Sequence, residues 1–241
     1  METLNSITKP GTSSPTFFDG VKDCVPTLLG YISIGIAMGI VGVSSGLSTL
    51  EILLLSIFVY AGAAQFIICA MIAGSSPLSA IILTTFIVNL RHLLLSSAIA
   101  PKFTSYSIRK NIGFGSLLTD ESFGVAIVKI ANKFPINDKW MNGLNLTAYI
   151  VWIFSCTLGA YLGGWFPNPE VLGFDYALTA MFIALLILQL QSIEHSKINH
   201  YLLLILLMII CMLIFSSFIS SSLAVIISTI IVATVGVVTD K

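Results

Sequence analysis

From Tyr201 to Val238 the chain runs apolar for about 38 residues without one charged side chain. A single helix of that length would measure about 57 Å, against a bilayer hydrocarbon core of about 30 Å. The run must therefore fold back on itself. The serines of Ser216–Ser222, in SSFISSS, mark the place, because serine hydroxyls can cap the helix that restarts there.

A membrane span needs about 20 mostly apolar residues. Five further segments meet that length: 25–43, 51–73, 78–100, 143–164 and 174–191. With the folded-back run they make about seven spans. Hydrophobic residues are 56% of the chain and charged residues 9%. Soluble domains carry about 25% charged residues, so lipid is the natural solvent for this surface. The formal net charge is zero, which offers no basic footprint for nucleic acid. A polar tail, residues 1–20, precedes one transmembrane domain, residues 21–241. The tail lacks the apolar core of a cleavable signal peptide, so the first span is expected to act as its own insertion signal. Cys24, Cys69, Cys156 and Cys211 stand alone, with no CxxC spacing. They read as small packing residues, and neither a metal nor any other cofactor is expected.

Residues 112–133 are ambiguous. Asp120 and Glu121 sit in their middle, and Thr119-Asp120-Glu121 has the form of a helix start. A helix from there to Phe134 would be about 22 Å long, too short to span. The expectation is a broken or re-entrant helix of the kind transporters hold beside a cavity. The alternative is a kinked full span with its acids turned to the bundle. The predicted fold is all-α, a polytopic bundle of about seven spans plus this broken or re-entrant helix. Lys102, Arg109 and Lys110 place loop 101–110 in the cytoplasm, and loop 165–173, with Glu170 and no base, outside. Three full spans before residue 101 would then leave the N-terminus outside.

Polar and small residues inside the spans are the candidates for chemistry. In VPTLLGYISIGIAMG, Gly30, Gly35 and Gly39 recur at near-helical spacing, and the last two form a GxxxG pair suited to close helix packing. Pro26 and the later GVSSGLS offer another reading, a broken helix that exposes backbone groups. Gly62 belongs to a patch of small residues that ends at Gln65, whose buried amide must either bridge helices or meet a polar ligand. Asn89-Leu90-Arg91-His92 lies slightly past the middle of the third span. An arginine there costs at least about 2.5–3.5 kcal/mol on insertion scales, so it must face the bundle and pair. Arg91 suits a carboxylate held bidentately, and His92 suits a proton relay. Asp120 and Glu121 suit Arg91 as a partner, a substrate ammonium or a coupling proton. Asp175 starts a span, where helix capping is the simpler role. Together these groups fit a zwitterion.

The chain resembles the AzlC family of branched-chain amino acid exporters, also called LIV-E. The resemblance rests on VPTLLGYISIGIAMG, VYAGAAQF, NLRH, TDESF and LGFDYALTAMFIALL, in that order, over about residues 17–190. Tyr60 stands where the family motif often has Phe, a conservative change. The resemblance implies a multi-pass permease of the bacterial inner membrane that exports valine, leucine, isoleucine or methionine, driven by the proton gradient. It also implies a small hydrophobic partner subunit of the AzlD type. A passive channel or an assembly subunit is the alternative. A third reading is an intramembrane enzyme using His92 with Asp120 or Glu121. The chain has no GxSxG elbow, HExxH or Asp-rich metal motif to support it.

Overall fold

The computed structural model describes residues 14–165, 195–219 and 221–239, with isolated positions between 176 and 193. Every regular element among the described residues is helical. They fall into two compact units, Met1–Leu178 and Thr179–Lys241. In the first unit α1 (Phe17–Ser44), α2 (Thr49–Phe58), α3 (Gly62–Ala73), α4 (Leu78–Ile99), α5 (Ile108–Ser116), α6 (Asp120–Ala131) and α7 (Asp138–Gly163) follow in order. In the second, α8 (Ile198–Ser216) turns back through Ser217–Ile219 into α9 (Ser221–Thr239), where the serine run marks the fold-back. Among the described residues four helices are long and apolar enough to cross a membrane: α1, α4, α7 and α8. The expected span at 174–191, with Asp175, lies outside the described residues apart from isolated positions.

The first unit is organised by α1 and α7, which pack side by side along their length. Glycines make this possible. A Cβ on Gly20 would strike the backbone of Trp140, one on Gly35 the Ser155 side chain, and one on Gly39 the backbone of Cys156 and Ala160. From the other side, Gly143 lies against Phe17, Gly159 against Ile36, and Gly163 against Ile40 and Val43. The partners advance together, so the two helices run parallel. Gly35 and Gly39 are packing residues here. Gly30 has no atom near enough to meet a Cβ among the described residues. Helix α1 runs unbroken through Pro26, so the broken first span weighed from that proline is not formed.

Parallel packing constrains what lies between. Gly42, near the end of α1, faces both Ile52 in the first turn of α2 and Cys69 near the end of α3. The joint between α2 and α3 lies deeper. Gly62 sits against the Trp152 ring, and Trp152 packs edge-on to Tyr31 with ring centroids 5.9 Å apart. From Gly42 to Tyr31 is about 16 Å along α1, half the thickness of a bilayer core. Residues 51–73 are therefore not the single span expected from their length. They are a hairpin of two short helices that descends halfway and returns to the end it left.

The second hairpin enters from the opposite end. Lys110 of α5 pairs with Asp138 at the start of α7 at 2.6 Å. Lys129, near the end of α6, pairs with Asp23 in the early turns of α1. The joint at Leu117–Thr119 reaches Tyr31. The sequence expectation of a broken element at 112–133 corresponds to this pair of helices. Helix α4 joins the two ends. Helix, hairpin, helix, hairpin thus repeats with inverted direction, and both tips stop at the same depth.

One consequence corrects the expected orientation. With α2 and α3 folded back, two long helices rather than three full spans precede residue 101. The start of α1 and loop 101–110 then share one end of the unit. The backbone carbonyl of Pro15 accepts from Asn137 Nδ2 at 2.7 Å, which ties the start of α1 to the start of α7 at that end. At the opposite end Gly46 turns the chain into α2 with φ +92°, a left-handed conformation that suits glycine.

Candidate functional site at the meeting of two hairpins

The first tip is an interruption that polar side chains complete. Helix α2 ends at Val59 (φ −117°, ψ 68°), and Ala61 is extended before α3 restarts. At this end the Val59 N–H donates to the Leu55 carbonyl and the Ala61 N–H to the Val59 carbonyl. Gln65 adds a second donor to each: its Nε2 donates to the carbonyls of Leu55 at 3.1 Å and Val59 at 2.8 Å. Its Oε1 accepts from Trp152 Nε1 at 3.1 Å. Tyr149 donates to the Ile57 carbonyl at 3.0 Å. Gln65 is fully buried and bridges the hairpin to α7, with both ends of its amide engaged by the protein.

The second tip is closed by a capping box. The Thr119 hydroxyl accepts from the Ser122 N–H at 3.3 Å, and the Ser122 hydroxyl accepts from the Thr119 N–H at 2.9 Å. The sequence announces this helix start in Thr119-Asp120-Glu121. It does not announce that the same Thr119 hydroxyl also bonds to the hydroxyl of Tyr31 on α1.

Arg91 projects from the middle of α4 toward this tip. Its Nη2 lies 2.9 Å from Asp120 Oδ2, with the two side chains 26% and 17% exposed. The pair is half-buried, so removing either partner leaves a poorly solvated charge. His92 lies within electrostatic range of both. Glu121 follows Asp120 by one residue and so projects about 100° around the helix. Tyr60, in the first tip, packs edge-on to Tyr149 at 4.9 Å. The oxygens of Tyr60, Thr85 and the Asn89 side chain are buried and have no hydrogen-bond partner among the described residues. Buried polar atoms are normally satisfied, so each of these three calls for a partner.

The structure therefore gathers Gln65, Arg91, His92, Asp120 and Glu121 around two helix breaks, with Asn89 one turn away on α4. It adds Tyr31, Tyr60, Tyr149 and Trp152, which motif reading passes over. Their signal was present: a tyrosine in the middle of an apolar helix brings a hydroxyl that needs a partner. Gly62 is at the first tip, whereas Pro26 and Gly30 belong to α1.

Residues 26–166 match the sequence profile of the family described as AzlC protein, an interval that takes in both hairpins, all of α7 and α1 from Pro26 onward. The chain is 32% identical to the inner membrane protein YgaZ of Escherichia coli over 76% of its own length and 77% of that protein's. It is 30% identical to an uncharacterized membrane protein of Archaeoglobus fulgidus, covering 73% and 77%. It is also 30% identical to the branched-chain amino acid transport protein AzlC of Bacillus subtilis, covering 68% and 64%. No solved structure matches. With more than half of its length matched by the profile, the chain belongs to the AzlC protein family of membrane proteins.

Proposed function

We propose that this chain is a secondary transporter that exports branched-chain and related aliphatic amino acids across the bacterial inner membrane, coupled to protons. The observation that carries the reading is the Arg91–Asp120 pair beside two half-depth hairpin tips. In such a place a zwitterion finds both its complements. Arg91 takes the carboxylate, and Asp120 takes the ammonium. Each ion of the resting pair gains a new partner as it loses the old one, so no charge is stranded in a poorly solvated site. Both second arms, α3 and α6, begin at the tips, and helix N-termini favour negative charge.

The name of the Bacillus subtilis relative supports branched-chain amino acids as the substrate class. Orientation follows from charge. Lys22, Lys102, Arg109, Lys110, Lys129, Lys133 and Lys139 all lie toward the end where α1 and α7 begin, while loops 45–48 and 74–77 carry no Lys or Arg. The positive-inside rule puts the basic end, and with it the start of α1, in the cytoplasm. A small hydrophobic subunit of the AzlD type is the proposed partner. The outer side of α4, where Leu78, Ile82, Phe86 and Leu93 are exposed, offers apolar surface to lipid or to that subunit. No catalytic step is proposed.

The test is expression of the full chain with and without the small subunit, scoring intracellular valine, leucine and methionine. Export should lower these pools, and Arg91→Ala should abolish the effect with the protein still in the membrane. Unchanged export by Arg91→Ala would remove the carboxylate role. Exchanging the two charges, Arg91→Asp with Asp120→Arg, separates the roles. If the pair is purely structural, the exchange restores transport.

A further inference from the structure

We infer that Asn89 and Tyr60 are the two halves of a second latch, the counterpart of the Tyr31–Thr119 bond, and that the protein alternates between two states by making one latch as it breaks the other. This role rests on the transport reading above and adds to it the groups that hold each hairpin in turn.

The inverted repeat fixes the counterparts. A shift of 58 positions carries the end of α1, Ser44, onto Lys102, where the turn Ala100–Lys102 that extends α4 ends. It carries the end of α2, Phe58, onto Ser116 at the end of α5. It carries both ends of α3, Gly62 and Ala73, onto both ends of α6, Asp120 and Ala131. The same shift carries Tyr31 onto Asn89, and Ala61, the N-cap of α3, onto Thr119, the N-cap of α6. At the second tip the pair is bonded, Tyr31 to Thr119. At the first tip Ala61 has no hydroxyl, and α3 starts without a side-chain cap. The hydroxyl there is supplied one residue earlier, by Tyr60.

Asn89 has the depth and the face that this role needs. Arg91 reaches Asp120 at the second tip, and the two tips stop at the same depth. Asn89 precedes Arg91 by two residues, which is about 3 Å along the axis and about 160° around the helix. Helix α4 packs against α3 and against α5 and α6. With Arg91 turned to α6, the buried Oδ1 of Asn89 belongs to the side of α3, which starts at the first tip. That Oδ1 and the Tyr60 hydroxyl are both buried, and neither has a hydrogen-bond partner among the described residues. One accepts and the other can donate. Leaving both unpaired costs free energy that a bond between them recovers. The second hairpin, by contrast, is held to α1 and α7 also by Lys129–Asp23 and Lys110–Asp138. The structure is thus the state with the second hairpin latched and the first unlatched. In the exchanged state the first tip closes on α4 through Tyr60 and Asn89, and the second leaves α1.

The experiment uses the full chain in nanodiscs, its four native cysteines replaced by alanine, with Ala126→Cys as the only thiol and an impermeant thiol reagent at both faces. Ala126 is fully buried on α6, so its labelling rate reports how often the second hairpin leaves its neighbours. Tyr31→Phe, which breaks the latch seen here, should raise the rate about fivefold. Tyr60→Phe and Asn89→Leu, which break the other latch, should each lower it about fivefold, and together no further than either alone. Tyr60→Phe should leave the melting temperature unchanged, because its hydroxyl makes no bond in this state. Removing groups that merely support the fold loosens it, so a raised or unchanged labelling rate in Tyr60→Phe overturns the inference. Effects of Tyr60→Phe and Asn89→Leu that add also overturn it. If Asn89→Leu fails to insert, the sign of the Tyr60→Phe effect decides alone. Wild-type proteoliposomes that move no leucine under any gradient would sink the transport reading itself, a result distinct from the labelling rates.

Discussion

The hydroxyl of Tyr31, midway along α1, is bonded to the hydroxyl of Thr119, 88 residues later, at the tip of the second hairpin. Both residues are almost fully buried. With the Lys129–Asp23 pair, this bond tethers the parallel helix pair to the element that bears Asp120 and Glu121. Tyr31→Phe removes the bond but leaves the Thr119 hydroxyl with Ser122, and should cost about 0.5–1.5 kcal/mol. Thr119→Val orphans the buried tyrosine hydroxyl and breaks the capping box, and should cost about 1–3 kcal/mol. The double variant should cost less than the sum of the two. A double-mutant cycle on thermal stability in detergent checks this, and strict additivity would mean that the two hydroxyls do not interact.

The glycine seam between α1 and α7 leaves no room for side chains. Gly39→Leu should prevent the pair from closing, since the new side chain meets the backbone of Cys156 and Ala160 rather than a flexible side-chain end. Overpacking of this kind costs about 1–3 kcal/mol or more. Gly30→Ala, at an open position of the same helix, should be neutral within about 0.5 kcal/mol. Comparing the melting of the two variants is a direct test.

Gln65 closes the first tip with three hydrogen bonds. Gln65→Leu keeps the bulk and removes all of them, leaving the Trp152 indole N–H unpaired and the Leu55 and Val59 carbonyls with only their backbone donors. A loss of about 1–3 kcal/mol is expected. Gln65→Glu should be worse, because a carboxylate would face two carbonyls. Melting temperatures in the order wild type, Leu, Glu would agree. Equal stability of all three would mean that the amide does not hold the break.

The hairpins make a topological prediction. Single cysteines replacing Ser45 and Ser76, in a background without other cysteines, should be labelled by an impermeant thiol reagent from the same side of the membrane. A continuous span over 51–73 would put them on opposite sides. Cysteines at Ser105 and Asn132 should react only after permeabilisation.

Much of this was legible in the sequence, and what was not has a physical cause. The apolar runs named the long helices, and Thr119-Asp120-Glu121 named the start of α6 because a capping box is local. Arg91 and Asp120 could be matched because a charge in an apolar helix requires a partner. The break at Val59–Ala61 was hidden. Its residues are apolar and permit a continuous helix, and the side chains that bond to its carbonyls are those of Gln65 and Tyr149, the second of them 92 residues from its partner Ile57. Length alone then counted a span where the chain turns back, and that error reversed the expected side of the N-terminus. The tyrosine hydroxyls were missed for the same reason, since their partners are distant in sequence.

The parallel pairing of α1 with α7 also bears on how the chain is made. The two helices are separated by roughly 120 residues, so at about 5–20 residues per second synthesis leaves α1 without its partner for several seconds or more. During that time its row of glycines faces lipid. Both hairpins rest on the same two helices, and neither tip can find its depth until the pair has closed. Assembly is therefore expected to be late and concerted, with α7 as the limiting arrival. A chain truncated before α7 should present α1 and α4 in the membrane but be cleared by quality control as an unfinished protein.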